Sequence, residues 1–242
     1  LMAIISEGNG RLYLPPNYLQ EEIAKKAIPD RQPDNLLPHN PRDFKTPNYG
    51  LFSFADLYTS RQTLALNTLC DLVKLVRSKI ESDMNGIGFN KTYQKNYSDA
   101  VATYLAIAID RLTDYSSSIC SWHSGRETIR NTFARQAIPM TWDYIETNIF
   151  SDSTGNFFGG VEWITKVIQE LPVNVIGKVT QCDAQTSTNR NEDFMISTDP
   201  PYYDNINYSE LSDYFYIWIR QSLFDVYPDL FATVLTPKSQ EL

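Results

Sequence analysis

The chain has 242 residues, of which 42% are hydrophobic and 13% aromatic, enough to bury one sizeable core or two small ones. A net charge of -8 and a pI near 4.8 exclude a chain built wholly as a basic sleeve for nucleic acid, while leaving room for a local phosphate contact. Cys70, Cys120 and Cys182 are odd in number and far apart, with no Cys-x-x-Cys pair, so no metal site is expected and they read as reduced thiols of a cytoplasmic protein.

Residues 1–58 hold Pro15, Pro16, Pro29, Pro33, Pro38, Pro41 and Pro47, which restricts regular structure to a short helix over 19–27 and makes the segment an extended arm. A helical region follows over 59–172. Leu69, Leu72, Val73, Val76 and Ile80 recur at helical spacing behind a Thr59 or Ser60 cap, predicting a helix over 61–80. Gly86, Gly88 and several Asn and Lys residues make 82–96 an exposed loop. Ser98 is the expected cap of a second helix whose stripe is Val101, Tyr104, Leu105, Ala108 and Leu112. Its apolar run, 101–109, is about half of what a membrane span needs. A third helix is expected over 127–136, and a fourth over 159–171 with Val161, Ile164, Val167, Ile168 and Leu171 inward.

The last third, 173–242, changes rhythm. Strand-like residues at 177–180 lead towards Asp183, a second run at 194–198 leads into Asp199-Pro200-Pro201-Tyr202, and a helix of about sixteen residues buries Leu211, Phe215, Trp218 and Leu223. Helix, strand, loop, strand, functional loop and helix is the order of an open α/β sheet, whose ligands sit beyond the carboxyl ends of its strands. The four residues at 199–202 suit one reaction. An exocyclic amine on a nucleobase is a poor nucleophile until its lone pair is localised, and two acceptors aimed at its N–H bonds achieve this. Asp199 and the Pro200 carbonyl supply the acceptors, the Pro200-Pro201 pair holds them extended, and Tyr202 offers a face for an unstacked base. Tyr203 and Tyr208 are candidates to line the same pocket. A plain turn is the competing reading of Asp-Pro-Pro-Tyr. Asp183 reads equally as a cofactor-adenine contact or as a loop or capping residue.

The run 197–220, which contains Asp199-Pro200-Pro201-Tyr202-Tyr203-Asp204-Asn205, resembles the adenine-specific DNA methylases, as do the stretches 48–62, 131–140 and 227–238. The resemblance implies a Rossmann-like methyltransferase sheet in the C-terminal third, S-adenosylmethionine as cofactor, DNA as partner and adenine N6 as the target. The family's Phe-x-Gly-x-Gly turn has no convincing copy. The nearest cluster is Asn156-Phe157-Phe158-Gly159-Gly160, so the chain reads as a fragment or split part completed by a complementary chain or segment. The alternative is a non-catalytic module that keeps the methyltransferase shape. Arg126 and Arg130, four apart on the expected third helix, with Arg135 beyond, either meet DNA phosphates or form a solvated face paired with acidic residues.

Overall fold

The computed structural model describes residues 1–173, 175–180, 195–199 and 206–238. The proline-rich start opens with an antiparallel hairpin of β1 (Ile4–Gly8) and β2 (Gly10–Leu14), followed by α1 (Tyr18–Lys25), where the Asn17 side chain accepts from the Leu19 N–H at 2.9 Å. Its second half belongs to the core. Leu37, Phe44, Phe54, Leu57 and Tyr58 are buried there, and Phe44 bridges to Ile138.

Thr59 starts α2 (Ser60–Asp83) with a reciprocal capping box: its hydroxyl accepts from the Gln62 N–H and the Gln62 side chain accepts from the Thr59 N–H. The buried face is Leu66, Leu69, Cys70 and Val73, shifted one turn towards the start relative to the predicted stripe, so that Leu72 remains exposed. α5 accounts for the shift, because Cys70 meets the Trp218 carbonyl and Asn67 meets Gln221.

The second long helix, α3 (Lys91–Thr113), begins seven residues before the expected cap. Asn90 caps it, accepting from the Tyr93 N–H at 2.8 Å, and the Gln94 amide donates to the Met84 and Phe89 carbonyls, which shortens the expected loop. Ser98 instead lies buried inside the helix, donating to the Glu81 carboxylate of α2 or to the Lys95 carbonyl, each 2.9 Å away. Its hydroxyl is used across the helix pair and not at a helix end. Ala102, Ala106, Ile109 and Leu112 form the buried face.

No helix forms over 127–136. The chain makes a second antiparallel hairpin, β3 (Ser121–His123) with β4 (Thr128–Arg130), in the register Ser121 to Arg130, Trp122 to Ile129 and His123 to Thr128. Two local features oppose a helix: Glu127 has φ 48°, and Thr128 and Ile129 are β-branched. Asp114 then captures the following residues, accepting from the Asn131 side chain at 2.6 Å and the Phe133 N–H at 2.9 Å.

α4 (Phe157–Glu170) is capped by Asn156, whose side chain accepts from the Gly159 N–H. Of its expected inward face, Val161 and Ile164 are half-buried, whereas Val167, Ile168 and Leu171 are exposed. In the C-terminal third, α5 (Tyr208–Leu223) matches the expected span, with Leu211, Trp218 and Leu223 buried and Phe215 half-buried. The strands expected over 177–180 and up to Thr198 are not formed in 175–180 and 195–199, where Val175, Ile176, Val179 and Met195 are exposed. A strand needs a neighbour for its backbone groups, and no strand pairs with either stretch among the described residues. Asp183 and Cys182 lie outside the described residues. The described fold is therefore a mixture of helices with two small antiparallel hairpins, in which α5 packs against both α2 and α3. No described helix is long and apolar enough to cross a membrane.

Asp110 on α3 adds a pH dependence. Its Oδ1 is buried without a hydrogen-bond partner among the described residues, and burial, followed by the charge of Asp114, pushes its carboxyl up to about 7. An unfolded Asp titrates near pH ~3.9, so between there and about 7 the folded state holds the extra proton. The associated stability is complete below the unfolded value and is lost as pH rises through the folded one. Asp110→Asn is expected to raise the urea midpoint more at pH 8 than at pH 5. Equal shifts at both would show that Asp110 does not titrate abnormally.

Candidate functional site at the start of helix α5

The first turn of α5 is fixed by side chains from far away in sequence. Glu210 accepts from the Asn40 side chain at 2.8 Å, Asn40 also donates to Asp43 at 3.0 Å, and Asn207 reaches Glu210 at 3.4 Å. One turn on, Asp213 is fully buried, accepting from the Thr236 N–H at 2.9 Å, the Thr236 hydroxyl at 2.5 Å and the Lys238 ammonium at 2.7 Å. Tyr216 donates its hydroxyl to the Thr233 carbonyl, and the Arg220 guanidinium reaches the Phe231 and Thr233 carbonyls. Residues 231–238 thus run as a strap along α5.

Two shallow clefts flank this helix start, and Tyr208 and Ser212 stand between them. The smaller, about 280 Å³, lies towards the strap, against Ser209, Tyr216, Leu230 and Thr236. The larger, about 540 Å³, is formed by Phe133, Arg135, Gln136, Ile206, Leu211 and Phe215. Its aromatic wall is firm: the Phe133 and Phe215 rings lie 5.1 Å apart, and Phe133 also meets Tyr214 edge-on at 5.2 Å.

Of the residues singled out from the sequence, Tyr208 is the first of α5, 52% exposed, and lines both clefts. Asp199 is exposed and belongs to no helix or strand. Pro200, Pro201, Tyr202, Tyr203 and Asp183 lie outside the described residues, so no distance joins them to the clefts. Trp218 is core, donating to the Tyr58 hydroxyl at 2.9 Å. His123 ends β3, and its Nδ1 accepts from the Arg126 N–H. Sequence reasoning missed Phe133, Arg135 and Gln136 as cleft residues. The signal that places them is Asp114, whose hold on Asn131 and Phe133 has no sequence signature.

Other chemistries find little support among the described residues. No group of three or more His, Cys, Asp or Glu side chains is gathered for a metal. Burial raises the Cys70 thiol to about 11 and pushes Cys120 up as well, so neither is a thiolate nucleophile at neutral pH. Glycines 159 and 160 serve the start of α4. A Cβ on Gly159 would come within 3.0 Å of the Asn156 amide, and one on Gly160 within 3.6 Å of the Ala108 carbonyl. No protein-family model, curated protein or solved structure matches the chain.

The strap gives a direct test. Asp213→Asn removes the charge that holds Lys238, and is expected to cost about 1.5–3 kcal/mol in urea unfolding, the range for hydrogen bonds to charged groups. Proteolysis within 233–238 should accelerate severalfold. An unchanged cleavage rate would mean that Tyr216 and Arg220 hold the strap without Asp213.

Proposed function

We propose that this chain carries the target-amine side of an S-adenosylmethionine-dependent DNA amino-methyltransferase, with adenine N6 as the target. The observation that carries the reading is the sequence Asp199-Pro200-Pro201-Tyr202 placed just ahead of α5, whose first residue, Tyr208, opens on two clefts beside aromatic side chains. In this reading the Asp199 carboxylate and the Pro200 carbonyl accept the two amine N–H bonds, and Tyr202 stacks on the flipped base with Tyr203 and Tyr208 beside it. Pro201 keeps the loop extended. The reading carries with it a Rossmann-like sheet, with Asp183 at a strand end as the cofactor-adenine contact.

The cofactor would supply the methyl group, but the described residues do not form its cradle. Asn156, Gly159 and Gly160 are occupied as a helix cap and a helix contact, so no step is assigned to cofactor-binding residues here. A complementary segment or chain would provide them. A second reading, a non-catalytic nucleic-acid-binding or regulatory module, draws support from one observation: Met195 and Ile196, just before Asp199, are 95% and 73% exposed and form no strand.

Single-turnover methylation of duplex DNA by the protein together with the segment or chain that completes the cofactor site, with binding measured at the same salt, separates the two. Asp199→Ala is expected to abolish methyl transfer and leave DNA binding nearly intact, because it removes an acceptor and not a phosphate contact. Tyr202→Ala should weaken both, by about 1–3 kcal/mol in binding, and Tyr202→Phe should be mild because the ring face does the stacking. Near-normal single-turnover rates in Asp199→Ala would leave the four residues as a turn and favour the module.

A further inference from the structure

Among the described residues, the arginines of this acidic chain fall into two groups. Arg11, Arg31, Arg42, Arg61 and Arg77 each pair with a carboxylate, Arg111 lies over the Trp163 ring, and Arg220 donates to backbone carbonyls. Arg126, Arg130 and Arg135 have no ion pair among the described residues, and all three are exposed. They fall within ten consecutive residues of a chain whose net charge is -8. Two carboxylates of this part of the chain are engaged elsewhere: Glu127 accepts from the Tyr13 hydroxyl, and Asp114 from the Asn131 side chain and the Phe133 N–H.

We propose that this segment, from the tip of the β3–β4 hairpin to Arg135, is the phosphate-binding track of the protein, leading a DNA strand to the cleft beside Tyr208. The proposal rests on the amino-methyltransferase reading and adds to it the surface on which the DNA lies. Three observations support it. In β4, Ile129 is buried while Arg130 on the alternate face is exposed, so the hairpin presents its cation outward on a fixed backbone. Arg135 lines the cleft together with Phe133, Gln136 and Phe215, which places a cation beside aromatic faces and an amide able both to donate and to accept. Arg126, Arg130 and Arg135 are close in sequence, and a duplex strand presents a phosphate every ~3.4 Å along its axis, so neighbouring phosphates are available to neighbouring cations. A small anionic ligand would need one of these cations, whereas a polyanion uses the row.

Anisotropy with a fluorescent DNA duplex and the full-length protein, between 50 and 300 mM salt, tests the track. Each of Arg126→Ala, Arg130→Ala and Arg135→Ala should reduce the magnitude of the slope of log K against log salt by about 0.9, and the triple variant by roughly 2–3. Arginine-to-lysine variants should restore the slope, which a merely structural role would not require. Arg61→Ala and Arg77→Ala, whose arginines already pair with carboxylates, should leave it unchanged. If the wild type binds DNA with a steep slope and the triple variant keeps it, the track is overturned while the amino-methyltransferase reading stands. If the wild type neither binds nor methylates DNA, both fall. A triple variant that loses affinity for poly-glutamate as strongly as for DNA would assign the segment to acidic polypeptides and overturn the proposal.

Discussion

The hydroxyl of Tyr214 donates to the carbonyl of Thr113 at 2.7 Å, and most of the site depends on that bond. Thr113 is the last residue of α3, so its carbonyl is one that the helix itself leaves without a partner. Tyr214 is fully buried, stacked on Tyr58 at 5.7 Å and met edge-on by Phe133 at 5.2 Å, and Trp218 one turn later donates to the Tyr58 hydroxyl. Burial drives the hydroxyls of Tyr58 and Tyr214 far above their usual pKa, so both stay neutral hydrogen-bonding groups. Losing Tyr214 would remove about 2–3 kcal/mol of apolar burial and one of the two hydrogen bonds on the Thr113 carbonyl, the other coming from the Ser116 N–H at 3.1 Å.

The next residue extends the same anchor. Asp114 holds Asn131 and the Phe133 N–H with its carboxylate, and the Thr132 N–H with its carbonyl. Thr132 in turn lies 2.7 Å from the Ser117 hydroxyl, within the buried group that contains Cys120. Thr113 and Asp114 therefore position both walls of the larger cleft: α5 through Tyr214, and Phe133 with Arg135 through the 131–133 segment. The base of this cleft is tied by buried hydrogen bonds, and its exposed lining residues are Tyr208, Arg135, Gln136 and Ser212.

Charge follows the same division. Half of the described arginines are paired with carboxylates where they lie, including Arg31 between Asp30 and Asp71 and Arg77 beside Asp99. Such exposed pairs contribute little to stability, commonly under ~1 kcal/mol, but they remove positive potential from those surfaces. The described arginines without an ion pair, a ring contact or a carbonyl partner are Arg126, Arg130 and Arg135, and the last of them lines the cleft.

Strong local signals were legible in the sequence. The span of α5, the Thr59 start of α2 and the approximate extent of α4 follow from apolar spacing and, for α2, a capping residue, which act within a few positions of one another. The chemistry suggested for Asp199, Pro200 and Tyr202 is also local, since it depends on residue types in a row. Ser98 and Asn90 are both able to cap a helix, and only the approach of Glu81 from α2 decides that Ser98 is interior. The arginines at 126 and 130 fit a helical repeat, but a hairpin forms because Trp122 and Ile129 pair across it and Asp114 takes the residues that follow. The strand expected before Asp199 had the right composition, yet composition supplies no pairing partner, and none lies beside 195–199 among the described residues. The sequence by itself determined the approximate spans of the helices with strong periodicity. The tertiary structure alone decided which arginines remain unpaired and which side chains wall the cleft, because those outcomes depend on contacts between residues about 20 to 170 positions apart, such as Asp114 with Phe133 and Asn40 with Glu210.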